Sequence, residues 1–232
     1  MSAGRLRTAL APYRDQALTA LVAFEAIWLF VLSPLGQVHV LPNWVNALTT
    51  AVIVAVVLVV CSGTTAAELA VVAATLVDLV ATLLRHQAPS HVTLIVDLLS
   101  RLLFLFAVTA VVARAVFARG DVTHHRILGA IAVYLNIAWA FAYIYRALDA
   151  LVPGSFSGNH VPTADVFTIG RFVYFSFTTM TSTGFGDIIP IHPFARSATN
   201  LEALMGQLFP ATLLARLVSL EIEYRRTRGG ED

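Results

Sequence analysis

Apolar residues run along this chain in long blocks separated by short polar punctuation. A helix needs about 20 mainly apolar residues to cross a bilayer, and the blocks are read against that length. The first covers residues 17–32 and stops at Ser33, Pro34 and Gly36. The next, residues 45–84, would span about 60 Å as a single helix, twice one hydrocarbon thickness, so it has to fold back on itself. Ser62, Gly63, Thr64 and Thr65 form its only turn-like cluster, which predicts helices near 43–61 and 65–84. Further blocks lie at 92–117, 127–151 and about 194–222. The pattern therefore predicts six transmembrane helices and an all-α membrane protein.

Residues 152–193 break this pattern and are too structured for an ordinary loop. They open with turn formers (Pro153, Gly154, Ser155, Gly158, Asn159). An aromatic stretch over 169–181 follows, with Phe172, Tyr174, Phe175 and Phe177, long enough for three helical turns. It runs into Thr181-Ser182-Thr183-Gly184-Phe185-Gly186-Asp187, and Pro190 and Pro193 lead into the last block. Gly184 and Gly186 accept backbone angles denied to other residues. Alternating them with Thr183 and Phe185 lets successive carbonyls point to one side. Backbone oxygens at membrane depth are tolerated where they line a water- or ion-filled path. Repeated around an axis, they replace the hydration shell of a cation. The preceding helix would aim its partially negative C-terminal end at the same place.

The heptad 181–187 resembles the selectivity filter of the potassium-channel superfamily, and the order of the surrounding elements is similar from about His124 to Tyr224. The resemblance implies a re-entrant pore helix and filter loop between the fifth and sixth spans. It also implies potassium ions held at the filter by Ser182, Thr183, Gly184, Phe185 and Gly186. Tyr174, Phe175, Thr178 and Asp187 would support the filter, Tyr174 and Phe175 as its bracing aromatic pair and Asp187 as the acid just outside it. Gly206 would be the inner-helix hinge, and Pro210 adds a second break because proline removes a helical hydrogen bond. Two positions depart from the family's usual pattern: Ser182 stands for Thr, and Thr183 for Val or Ile. Ser182 keeps a hydroxyl but loses the methyl that restrains its rotamer. Thr183 adds a polar group to an isosteric frame. Phe185 replaces Tyr. One filter segment makes one wall of a pore, so the chain is expected to assemble as a cyclic homo-oligomer, and the resemblance sets the number at four.

The sixth block places Gln207, Pro210, Leu214 and Val218 at helical spacing as candidate pore-lining positions. Leu214 and Val218 are read either as an apolar constriction or as ordinary packing residues. The expected division is a four-helix unit over 1–120, a pore domain over 121–224 and a short cytoplasmic tail over 225–232. The fourth block contains Arg101 and Arg114 but no arginine ladder. Steep voltage gating takes about 3–4 charges per subunit, so strong voltage dependence is not expected. Asp97 and Arg101, four residues apart, are expected to pair on one helix face, with Asp78 at similar depth. Glu68 and Arg114 fall at matching depths nearer the cytoplasm. Glu25 has no evident partner in the sequence.

Composition agrees with the pattern. Hydrophobic residues make up 58% and charged residues 12%, about half the ~25% charge of an ordinary globular chain. The 15 basic residues are all Arg and balance 14 acids to a net charge of +1, which leaves no broad basic surface for nucleic acid. The single cysteine, Cys61, excludes an intrachain disulfide and a multi-thiolate metal site. Flanking arginines orient the spans. Arg5, Arg7, Arg14, Arg119, Arg126, Arg225, Arg226 and Arg228 fall on one side, with Arg85 and Arg171 opposite. Both termini are thus expected in the cytoplasm, with the chain multi-pass in the plasma membrane. The eight residues after Tyr224 carry the expectation of no cytoplasmic ligand-binding domain. No catalytic triad, metal cluster or phosphate loop stands out, so neither an enzyme nor a cofactor is expected. The leading expectation is passive, potassium-selective conduction across the lipid bilayer. A weakly selective cation channel is one alternative, and a secondary potassium transporter or uptake subunit is the other. The absence of a second pore-like segment makes the transporter the lesser of the two.

Overall fold

The computed structural model describes residues 14–37, 51–57, 59, 65–117, 124–158 and 165–228. Helix α1 (Arg14–Ile27) opens the described chain and continues through a π-helical turn, Trp28–Leu32, into the short α2 (Ser33–Gln37). The expected break at Ser33 and Pro34 does not occur. Pro34 has no N–H to give to the preceding turn. The helix widens just before it, where the Ser33 N–H bonds to the Trp28 carbonyl five residues back. A π turn of this kind lets the axis pass a proline without ending the helix. Residues 51–57 are helical, and the rest of the expected second span lies outside the described residues.

Helices α3 (Thr65–Gln87) and α4 (His91–Val116) form a hairpin. The reversal takes three residues because Ser90 closes a capping box: its hydroxyl accepts from Thr93 N at 3.1 Å, and the Thr93 hydroxyl accepts from Ser90 N at 2.9 Å. A polar layer ties the pair together. Asp97 accepts from Arg101 at 3.3 Å, as its spacing predicts, and also from Arg85 at 3.4 Å and the Thr82 hydroxyl at 3.0 Å. Arg85, just past the expected end of its span at 84, is the half-buried last-turn arginine of α3, turned onto Asp97. Asp78 belongs to the same layer and accepts from Ser100 at 3.2 Å. Glu68 is half-buried and Arg114 is exposed. Glu25 is buried in α1 and meets Asn136, while its Oε2 and the Asn136 Nδ2 find no hydrogen-bond partner among the described residues.

Helix α5 (His124–Leu151) joins this unit to the rest. His125 bonds the Thr19 hydroxyl of α1 at 2.6 Å, and His91 at the start of α4 bonds the Ala150 carbonyl near the end of α5 at 2.6 Å. Then come β1 (Phe156–Gly158), α6 (Asp165–Met180), β2 (Ile188–Pro190) and α7 (Pro193–Arg228). The strands pair antiparallel, Phe156 opposite Pro190 and Gly158 opposite Ile188.

The buried apolar residues form two cores, and α5 contributes to both. One gathers Leu18, Val71, Val108, Val112 and Val133 from α1, α3, α4 and α5. The other gathers Tyr145, Phe156, Phe172, Phe175 and Ala195 from α5, β1, α6 and α7. Among the described residues four helical stretches are long and apolar enough to cross a membrane: Gln16–Leu35, Ala66–Gln87, His91–Val116 and His125–Leu151. Helix α7 has 36 residues, and its side chains from 217 on lie outside the described residues. It also continues to Arg228, into the segment expected as a tail.

Candidate functional site

Helix α6 ends at Met180, and the chain turns back along the helix it has just left. The Ser182 N–H donates to the Thr179 carbonyl at 2.9 Å. The N–H groups of Thr183 and Gly184 both reach the Thr178 carbonyl, at 2.8 and 3.1 Å. These bonds consume carbonyls that a helix end otherwise leaves without partners. They also pin the start of the 181–187 loop to α6, so the loop is positioned by a rigid element.

Left-handed backbone recurs at every second position of that loop: φ is +57° at Ser182, +54° at Gly184 and +77° at Gly186. Thr183 and Phe185 between them keep ordinary negative φ. In a plain strand successive carbonyls alternate in direction, whereas alternating handedness turns them toward one side. Ser182 is the only non-glycine residue with positive φ among those described. All residues from 181 to 187 are exposed in the single chain. Peptide oxygens turned to one side can take the place of water around a bare cation.

The residues expected as supports make different contacts, and not all of them with the loop. Tyr174 stacks on Phe185, with ring planes 2° apart and centroids at 6.2 Å. Phe175 points the other way, into the second core, edge-on to Tyr145 at 5.1 Å and Phe156 at 5.5 Å. Thr178 contributes its twice-used carbonyl, while its hydroxyl bonds the Phe175 carbonyl at 2.9 Å. Asp187 Oδ1 accepts from the Ile188 N–H at 3.1 Å, where β2 begins. The strand pair then clamps the far end of the loop, because a Cβ on Gly158 would stand only 2.5 Å from the Asp187 carbonyl. Thr183 does not bury its hydroxyl. That group lies 2.9 Å from Thr181 Oγ1, which itself donates to the Phe177 carbonyl at 2.7 Å. A hydroxyl has one hydrogen, so Thr183 is the donor of the pair.

Helix α7 passes beneath the loop. Gly206 is buried, and a Cβ there would overlap the Met180 carbonyl. Tyr134 of α5 reaches the same carbonyl with its hydroxyl at 3.2 Å. Gln207, the next residue of α7, donates its amide to the Ser182 hydroxyl at 2.6 Å. Pro210 sits inside the helix, and Gln207, Pro210 and Leu214 are exposed in the single chain. Val218 lies on the same helix, with its side chain outside the described residues.

One element was not anticipated from the sequence. Glu202 of α7 is fully buried, and its carboxyl is held by the Tyr145 hydroxyl of α5 at 2.5 Å and by the Ser176 hydroxyl of α6. Ser176 also lies 2.6 Å from the Ala138 carbonyl. One carboxyl thus joins the three helices directly behind the loop. The available signal was an ionisable residue inside an apolar run, which in a membrane helix marks a position to explain.

Residues 129–223 match a family model described as ion channel. The match begins in α5, takes in α6, the loop and both strands, and ends in α7. No curated protein matches the chain. Apolar helices of membrane-spanning length and a segment similar to an ion channel domain over residues 129–223 support a membrane protein.

Proposed function

We propose that four copies of this chain surround a common axis and conduct potassium ions passively through the peptide oxygens of residues 183–186, with Ser182 at the end nearest α7. The observation that carries this reading is the alternation of left-handed φ at Ser182, Gly184 and Gly186 in a loop whose ends are fixed by α6 and by the β1–β2 pair. Water-exposed oxygens on one chain make only a wall. The apolar side chains that α7 leaves exposed (Leu201, Leu204 and Leu208) supply area for neighbouring copies to cover.

Residues 121–224 form the conducting part in this reading, and residues 1–120 flank it as a four-helix unit held by the Asp97 layer. Both termini face the cytoplasm of a cell bounded by this membrane, as the flanking arginines direct. Opening is assigned to α7. Pro210 has no N–H for the Gly206 carbonyl four residues earlier, while Gly206 is packed against Met180, so the bend is placed at Pro210 and the segment beyond it swings. Leu214 and Val218 line that segment.

The deciding experiment is ion flux in liposomes carrying only the purified protein. Potassium flux well above sodium flux, stopped by barium, is expected. Equal sodium and potassium flux would replace this reading with a weakly selective cation channel. Flux that demands a second, coupled ion would replace it with a transporter.

A further inference from the structure

We propose that Gln207 is a specificity-determining residue, which weakens divalent-cation binding at the α7-side end of the filter through the amide it presents to Ser182. The inference rests on the channel reading above. Its starting point is the difference between Ser182 and its two neighbours. The hydroxyls of Thr181 and Thr183 are settled locally, Thr183 donating to Thr181 and Thr181 to the Phe177 carbonyl. Ser182 depends on another element: its hydroxyl oxygen accepts from Gln207 Nε2 at 2.6 Å across a sequence separation of 25 residues.

Serine has no γ-methyl to limit its rotamers, so an exposed serine in a loop samples several. The amide of Gln207 removes that freedom. Gly206 makes this geometry available. Without a Cβ it lets α7 close onto the Met180 carbonyl, and the next side chain along the helix then reaches the second residue of the loop. A serine oxygen has two lone pairs. One is taken by Gln207, and the other is left for a cation.

A cation bound by that second lone pair lies close to the positive end of an amide dipole. The repulsion scales with the ion's charge, so it is twice as large for a divalent ion as for a monovalent ion of the same size. Barium, which has the size of potassium and twice the charge, is the natural probe. Removing the amide should therefore strengthen barium binding more than potassium binding. The loss of rotamer restraint acts in the opposite direction, since a mobile hydroxyl is a poorer ligand. The dipole is the larger of the two effects, and tighter barium binding on its removal is the expected sign.

The test uses the full-length protein with Gln207→Leu, and Gln207→Asn as a second variant whose amide is one methylene too short to reach Ser182. Two readouts are taken: the barium concentration that halves potassium flux in liposomes, and the barium concentration that protects the detergent-solubilised protein against heating. Loss of one neutral hydrogen-bonding dipole corresponds to about a fivefold change in affinity, so both variants should bind barium about fivefold more tightly. In a Ser182→Ala background the same substitutions should change nothing. Unchanged or weaker barium binding in both variants, or an equal shift without the Ser182 hydroxyl, overturns the proposal. If the unaltered protein carried no potassium flux, the channel reading would fall, and heat protection would still report the coupling of 207 to 182. If potassium flux were normal and Gln207→Leu left barium untouched, the channel reading would stand without this inference.

Discussion

The carbonyl oxygen of Met180 occupies the space that a side chain on residue 206 would need. Glycine at that position lets the last turn of α6 rest on α7. Replacing it with alanine sets two effects against each other. Alanine favours a helix by up to about 1 kcal/mol over glycine, while forcing a methyl into a filled site costs about 1–3 kcal/mol. The obstacle is backbone and cannot rotate away, so the second effect wins. Gly206→Ala should lower the thermal midpoint of the purified protein, whereas Ala211→Gly, at an exposed position of the same helix, should lower it only by the propensity difference.

Gly184→Ala acts differently. No atom stands within 4 Å of a Cβ at 184, so nothing is displaced. The residue must nevertheless hold φ +54°, which costs an alanine about 1–2 kcal/mol and turns its carbonyl aside when relieved. Membrane insertion and helix content should be unchanged, while potassium flux falls at least tenfold. Full conduction by this variant would remove the assignment of the loop as the ion path.

The Glu202 carboxyl can be tested by its hydrogens. The Ser176 hydroxyl has one hydrogen and faces two acceptors, the Ala138 carbonyl and Glu202, so a neutral side chain at 202 that donates to Ser176 and accepts from Tyr145 completes the set. Glu202→Gln does both and should leave the thermal midpoint near that of the unaltered protein. Glu202→Ala strips Tyr145 of its buried partner, at a cost of about 1–3 kcal/mol, and adds the penalty of a cavity. Comparing the two variants by thermal unfolding separates hydrogen bonding from charge.

Asp97 carries two guanidiniums and a hydroxyl. Its removal takes away the carboxylate that both Arg85 and Arg101 bond. Breaking a buried ion pair costs about 3–5 kcal/mol, and the partial solvent access of both arginines puts Asp97→Ala at the lower end. Arg101→Gln should also destabilise, but it should not alter a steep voltage response, because two separated arginines move too little charge for one. Current–voltage curves of the two variants should be as shallow as that of the unaltered protein.

What was legible from the sequence were properties that repeat over a few residues. The apolar runs 92–117 and 127–151, whose length matches a bilayer, locate two helices that the structure bounds at 91–116 and 124–151. The Asp97–Arg101 pair follows from a spacing of four. The loop at 181–187 follows from glycines that alone accept left-handed backbone freely, although the positive φ of Ser182 had no such marker. Where local rules failed, a neighbour had intervened. Pro34 did not end its helix because a π turn absorbed the missing hydrogen bond, and the helix expected to end at 84 ran on to Gln87, with Arg85 bonded to Asp97.

Periodicity and backbone chemistry, both written in adjacent residues, determined by themselves that this chain builds apolar helices around one glycine-punctuated loop. Only the tertiary structure decided what holds that loop: Glu202 with Tyr145 and Ser176, Gly206 with Met180, Gln207 with Ser182, and Gly158 with Ile188. Each of these partnerships joins residues 25 or more positions apart. Such contacts depend on how helices rotate and slide as they pack, and no local spacing specifies that.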